Sequence, residues 1–272
     1  MTKIKNGIIL ITGGTSGIGR IMGRMVLERG AKQLVVWCVS QAKIDETIAD
    51  FRTRGYDNVR GYCVDVSDSS AVVETYKAMR KDVGMVDVLI NNAGVVTGNM
   101  TFDRAGITDI DRTMDINAKA PMVVALQMLP EMIERDSGHI CNIASAAGLV
   151  SNPKMAIYAA SKWAVVGWSD SVRIELQVRR SNVHITTIAP YYINTGMFDG
   201  VKSRVLPILD PERTSRKILR AIECNRDFRG LPLGFHIIRL AQGIMPISWF
   251  DFIFGRVCGI YTTMDEFTGR KH

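Results

Sequence analysis

Short runs of consecutive apolar residues alternate along the chain with longer stretches in which apolar positions recur every three or four residues. The runs are Gly7–Thr12, Gln33–Val39, Val59–Asp65, Val86–Ala93, His139–Ser145 and Val183–Ala189. Each has strand length, and near-continuous hydrophobicity is what a strand buried on both faces requires. Helical spacing fills the intervals: Ser16–Arg29 closed by Gly30, Ala42–Arg54 closed by Gly55, Ser69–Asp82 and Ala156–Arg180. A longer helical pattern runs from about Thr108 to Arg135 and contains Pro121 and Pro130, so a kink or break is expected there. Asp210 followed by Pro211 reads as an N-cap with proline at the first helical position, opening a helix to about Cys224. Strands alternating with helices predict an α/β fold, a doubly wound parallel sheet in three αβα layers. No repeat or linker interrupts the pattern. Residues 1–272 read as one domain with a variable apolar segment from about 231.

Composition narrows the function classes. A chain of 272 residues, 47% of them hydrophobic, can bury a substantial core. The net charge of +7 is spread over scattered Lys and Arg with no basic run, so a solvated surface is expected rather than nucleic-acid binding. An anionic dinucleotide would still gain from the positive field. The five cysteines are widely spaced without Cys-x-x-Cys, so no metal site or disulfide framework is indicated and a reducing, cytoplasmic setting is expected. The apolar stretch near the N-terminus is too short for a signal sequence, and no run of eighteen apolar residues offers a transmembrane segment.

Candidate chemistry begins at the first strand–helix junction. Thr12-Gly-Gly-Thr-Ser-Gly-Ile-Gly19 lies between a predicted strand and a predicted helix, which is the context a phosphate-cradling turn needs. Glycine allows the tight turn, lets backbone approach a pyrophosphate, and lets helix and sheet pack closely. Gly13, Thr15, Ser16, Gly17, Ile18 and Gly19 are therefore candidate contacts to NAD(P), and the fold becomes Rossmann-like. The second strand ends near Cys38 and Ser40, where a carboxylate would favour NAD by binding the ribose 2′-hydroxyl. With none there, the choice between NAD and NADP stays open, with a lean to NADP. Asp65, with Val66 after it, either accepts a hydrogen bond from the adenine amine or caps the next helix. Asn91-Asn-Ala-Gly94 ends the fourth strand, making Asn91, Ala93 and Gly94 further cofactor candidates.

The reacting residues lie in the second half of the chain. Tyr158 and Lys162 are one helical turn apart and share a face. A free phenol is too weak a base at neutral pH, and a neighbouring ammonium is expected to lower its pKa. Lys162 would also hold the nicotinamide ribose. Ser145, at the carboxyl end of the fifth strand, is placed to hydrogen-bond a substrate carbonyl. Asn117, a mediocre helix former inside the long helical pattern, would hold a water linking Lys162 to solvent.

In this order the motifs resemble the short-chain dehydrogenase/reductases over essentially Gly7 to Gly230. The narrower similarity is to the branch of retinol dehydrogenases and 17-beta-hydroxysteroid-dehydrogenase-like lipid enzymes. It rests on Gly138-His-Ile, Ile143-Ala-Ser-Ala-Ala-Gly-Leu149, Ala160-Ser-Lys-Trp-Ala-Val-Val-Gly167 and Asn194-Thr-Gly-Met-Phe198. The resemblance implies hydride transfer between NAD(P) and a small hydrophobic alcohol or carbonyl compound. Tyr158 would exchange the alcohol proton and Ser145 would polarise the carbonyl. Pro190, Ile193 and Thr195 would line the nicotinamide, with Thr195 on its carboxamide. It also implies a homodimer or homotetramer. This chain departs from the family pattern at Tyr191, where Pro-Gly is usual, at Cys38, where this branch is acidic, and in lacking the N-terminal anchor of many vertebrate relatives. The alternatives are a 3-oxoacyl thioester reductase and a non-catalytic NAD(P)-binding sensor or scaffold.

Two apolar stretches bear on the substrate. The segment from about Gly196 to Leu209 holds Met197, Phe198, Val201, Val205, Leu206, Ile208 and Leu209, and is expected to cover the nicotinamide as a flap. From Leu231 to Tyr261 the chain is apolar and aromatic, divided by Pro232 and Pro246. It is expected to be C-terminal core and subunit contact, with a substrate lid or peripheral membrane contact as the alternative.

Overall fold

The computed structural model describes residues 1–97, 100–203 and 206–269. Seven parallel strands form one sheet in the order β3-β2-β1-β4-β5-β6-β7. They are β1 (Ile8–Thr12), β2 (Gln33–Cys38), β3 (Val59–Cys63), β4 (Val88–Asn91), β5 (Gly138–Ile143), β6 (Val183–Pro190) and β7 (Phe228–Leu231). The first six are the strands expected from the apolar runs. β7 was not expected: four residues containing Arg229 and Gly230 give too short a pattern, and its pairing with β6 defines it.

Helices cover both faces. α1 (Gly17–Glu28), α2 (Gln41–Thr53) and α7 (Pro211–Glu223) lie on one side, and α3 (Ser69–Val83), α5 (Ala120–Glu134) and α6 (Ala156–Val178) on the other. β1 shows why both faces must be covered. Ile9 and Ile11 pack with Met22, Val26, Phe51 and Ile222. Ile8 and Leu10, pointing the other way, pack with Tyr76, Met79, Met128 and Leu176. Capping fixes the helix ends. Asp68 accepts from the Ser70 and Ala71 N–H groups at the start of α3, and Asp210 accepts from Arg213 N at 2.7 Å at the start of α7.

The expected single helix over 108–135 is divided. α4 (Ile107–Met114) passes into a π-turn at Asp115–Lys119 before α5 begins. The proline effect falls upstream of Pro121 itself. Pro121 has no N–H to give the Asn117 carbonyl four residues back, so the ladder widens there. Pro130 sits inside α5 without ending it. The C-terminal segment forms α8 (Phe235–Ile244), α9 (Ile247–Phe250) and a π-turn at Asp251–Val257. Among the described residues, no helix is long and apolar enough to cross a membrane.

Candidate active site

β1 and β4 are adjacent, and the strand order reverses between them. A crevice opens there at the carboxyl ends of the strands, as in other open α/β sheets. The chain that leaves β1 turns through Gly13 at φ +65° and Gly17 at φ +51°, conformations that glycine adopts without strain. A Cβ on Gly13 would stand 3.1 Å from the Ala93 Cα, and one on Gly19 would collide with the Gly13 carbonyl and lie 2.5 Å from Asn92 Nδ2. The turn is held against the end of β4 by Asn92, whose Nδ2 donates to the Thr12 and Gly13 carbonyls at 3.0 and 3.2 Å. Ser16 starts α1 without a side-chain cap, and no acidic residue occupies the first turn. The first N–H groups of α1 therefore have neither a local acceptor nor a repelling carboxylate, and an anion fits there. These features fit the pyrophosphate of a dinucleotide. Across the cleft the glycine turn faces Thr195, whose Cβ lies 3.7 Å from a Cβ built on Gly17.

At the end of β2, the Cys38 thiol accepts a hydrogen bond from Thr15 Oγ1 at 3.1 Å, so Cys38 touches the back of the glycine turn. Ser40 caps α2, accepting from Lys43 N at 3.4 Å. The two readings of Asp65 separate here. Asp68 is the cap of α3, while Asp65 is exposed and closes its own turn by accepting from Ser67 N at 2.9 Å. Val66 follows it, half-buried.

The polar centre is assembled at the end of β5. Ser145 begins a short turn, Ala146–Gly148, and accepts from Ala147 N at 3.1 Å. Gly148 lets that turn rest on α6, because a Cβ there would stand 2.6 Å from the Lys162 carbonyl. Ser145 and Tyr158 on α6 thereby line the same cleft, and Ser145 favours the ionised phenol. Lys162, one turn further along, donates to the Ile143 carbonyl at 3.0 Å and lies 5.7 Å from the centre of the Tyr158 ring. Asn117 projects from the π-turn. Its amide accepts from Val95 N and donates to the Val95 carbonyl, both at 2.8 Å, and donates to Ser161 at 3.2 Å. The side chain is thus spent on pinning the segment after β4 to α6. A Cβ on Gly94 would lie 3.3 Å from Asn117 Oδ1 and 3.6 Å from Lys162 Nζ, so the three positions converge.

Burial sets the charge states. It pushes the Tyr158 phenol up to about 12, outweighing the hydrogen bond with Ser145 that lowers it, and pushes Lys162 down to about 8. Burial outweighs the lowering of the phenol expected from Lys162, whose ammonium donates to the Ile143 carbonyl. At neutral pH the pair is a protonated phenol beside an ammonium.

The cleft enclosing these groups spans about 1370 Å³, part of it open to solvent. Its two ends differ. One is lined by Gly13, Ser16, Gly17, Ile18, Asn92 and Gly94, the other by Val150, Met155, Met197, Phe198, Phe235 and Ile238. Of the candidates named from sequence, Ala93, Ser145, Tyr158, Lys162, Pro190, Ile193 and Thr195 also line it. Thr15, Gly19, Asn91 and Asn117 stand behind the lining. Asn91 is buried with its Nδ2 donating to Asn142 Oδ1 at 2.9 Å, and the member of the pair that lines the cleft is the half-buried Asn92. Cys38, Ser40, Asp65 and Val66 lie at the ends of β2 and β3, beyond the lining.

Phe198 roofs Tyr158 edge-on, with ring centres 6.0 Å apart, and meets Tyr192 at 5.1 Å. Val205 of the expected flap lies outside the described residues. Tyr191, the departure from Pro-Gly, continues the ladder through its N–H to Leu231 at 2.7 Å while its ring lines the cleft and its hydroxyl pairs with Ser203. Sequence reasoning missed Asn152, which donates to the Tyr192 hydroxyl at 3.0 Å and to Thr263 at 2.7 Å. It also missed Met264 and Phe267 beneath the flap. No local pattern signals contacts between residues more than a hundred positions apart.

The sequence pattern of the family described as short chain dehydrogenase matches residues 7–205. Epidermal retinol dehydrogenase 2 of Mus musculus is 35% identical, with 99% of this chain and 87% of that protein covered. Short-chain dehydrogenase/reductase 3 of Homo sapiens is 32% identical, with 96% of this chain and 86% of that protein covered. The crystal structure of a short-chain dehydrogenase from Streptomyces avermitilis superposes with a TM-score of 0.77 at 20% identity, covering 93% of this chain and 98% of that one, and shows the shared fold.

Proposed function

The chain belongs to the short-chain dehydrogenase family and is an oxidoreductase acting on CH–OH groups; on that premise we propose that it interconverts a hydrophobic alcohol of steroid, retinoid or lipid type with its ketone or aldehyde. The observation that carries this reading is the position of Ser145, Tyr158 and Lys162 at the junction of two dissimilar ends of one cleft. The glycine turn, the first turn of α1, Asn92, Ala93 and Gly94 would hold NAD(P) by its pyrophosphate and ribose. Pro190, Ile193 and Thr195 would flank its nicotinamide, and Asp65 and Val66 its adenine. When bound, the nicotinamide supplies or accepts the hydride.

The protein's own part is proton handling and orientation. Ser145 donates to the substrate oxygen and fixes the carbonyl. Tyr158, held protonated by burial, gives its proton to that oxygen as it becomes an alkoxide. Lys162 remains charged at neutral pH, stabilises the tyrosinate left behind, and would bind the ribose. Asn117 acts through position, fixing the strand-end segment against which Lys162 packs. The absence of a carboxylate at the end of β2 supports use of NADPH. The five free cysteines fit a cytoplasmic setting.

The test is turnover of steroids, retinoids, 3-oxoacyl thioesters and short ketones, each with NADPH and NADH, followed by loss of nicotinamide absorbance. The proposal expects the largest kcat/KM for bulky apolar ketones or aldehydes. Preference for acyl thioesters would transfer the assignment to an acyl reductase. No turnover of any carbonyl compound, with cofactor binding intact, would leave a cofactor-binding sensor.

A further inference from the structure

The C-terminal segment was expected to be core and subunit contact, and its inner side is core. Phe235, Ile238 and Phe250 are buried, whereas Leu233, Ile237, Leu240 and Ile244 are 62–74% exposed. Their spacing of four, three and four residues places them on one face of α8 and its N-terminal approach. The chain continues the face through Ile247, Trp249, Phe252 and Val257, all more than half exposed. A monomeric protein rarely leaves so long an apolar run bare unless something covers it.

The occupant is indicated by charge and by position. From Leu231 to Tyr261 the charged residues are Arg239, Arg256 and Asp251, and Asp251 accepts a hydrogen bond from the Tyr261 hydroxyl. Both arginines are exposed, Arg239 with its guanidinium over the Phe228 ring 5.1 Å from the ring centre. A second copy of the chain would bring no unbonded carboxylate from this patch to the arginines, since Asp251 is held by Tyr261. An anionic lipid surface instead pairs with the arginines, in a protein whose net charge is +7. Exposed Trp249 suits the boundary between headgroups and acyl chains. The opposite, inner side of the same helix lines the cleft through Phe235 and Ile238.

We propose that α8, α9 and the turn through Val257 form a surface that docks on an anionic membrane leaflet. Docking stands apart from the substrate assignment; direct entry of an apolar substrate from the bilayer rests on the hydrophobic-substrate reading of the cleft.

The test is co-sedimentation of the full chain with phosphatidylcholine vesicles containing phosphatidylserine, without substrate. Wild type is expected to bind, to bind less to pure phosphatidylcholine, and to shift its tryptophan emission to the blue. The double variant Ile237→Asp/Leu240→Asp should weaken binding at least about tenfold, and Arg239→Glu/Arg256→Glu should remove the preference for phosphatidylserine. Neither pair lies in the cleft, so turnover of a short ketone and the circular dichroism spectrum should be retained. A milder Ile237→Ser/Leu240→Ser variant and loss of the blue shift in Trp249→Phe guard against a folding artefact. Wild type that ignores vesicles, or binding unchanged in the apolar variants, would overturn the proposal. So would a wild-type dimer that ignores vesicles and that the same variants split.

Discussion

The two ends of the cleft are built by different means. The cofactor end is made of backbone: Gly13, Gly17 and Gly19 clear space, and one asparagine, Asn92, holds the turn closed. Its parts come from the ends of β1 and β4, which the parallel sheet places side by side. The substrate end is made of side chains. Phe198, Tyr192, Met155 and Met264 pack together over Tyr158, drawn from positions far apart in sequence. A rigid end can present fixed donors to an invariant cofactor. An end built from packed side chains can change shape with few substitutions. Tyr158 lies where the two meet, in the same cleft lining as Ser145 and roofed by Phe198.

Substitutions can break this contrast in order of severity. Tyr158→Phe keeps the ring and its packing while removing the proton, so kcat should fall at least about a hundredfold with cofactor affinity nearly unchanged. Single-turnover kinetics beside a fluorescence titration with NADPH would separate the two effects, and near-normal turnover would sink the acid–base assignment. Gly19→Ala should act on the other end alone. Its methyl has nowhere to go between the Gly13 carbonyl and Asn92, so NADPH should bind on the order of tenfold more weakly and the melting temperature should drop. Gly167→Ala, where nothing stands within 4 Å on α6, serves as the control and should be neutral or slightly stabilising.

Phe198→Asp should separate substrates by size. It removes the aromatic roof and puts a carboxylate beside an apolar cavity, so KM for steroid- or retinoid-sized compounds should rise by roughly tenfold, with little change for short ketones. Equal effects on both would mean that Phe198 is only packing. Cys38→Asp is the mildest. A carboxylate at the end of β2 should repel a 2′-phosphate and move the ratio of kcat/KM toward NADH by several-fold. Wild type that strongly rejects NADPH would show that this strand end is misassigned.

Legibility in the sequence followed the range of the interactions. Six of the seven strands were readable because a strand covered on both faces must be apolar throughout. The glycine turn and the Tyr158–Lys162 pair were readable because their spacing lies within one turn. Asn117 was picked out as an unusual helix residue, but its use as a clamp on Val95 was not visible, nor was the π-turn that carries it. The fall in the Tyr158 pKa expected from Lys162 is outweighed by burial. Proximity in sequence gave the pairing, but burial and the Ile143 carbonyl set the balance of charge.

The sequence by itself determined the α/β order, the glycine turn and the Tyr158–Lys162 pairing, since periodicity, glycine geometry and helical spacing are local properties. Tertiary structure decided which asparagine faces the cleft, what roofs the tyrosine and which apolar residues of the C-terminal segment are left outside. Those outcomes depend on burial and on contacts between distant segments, and the same phenylalanine or isoleucine is core or surface according to what the rest of the chain packs against it.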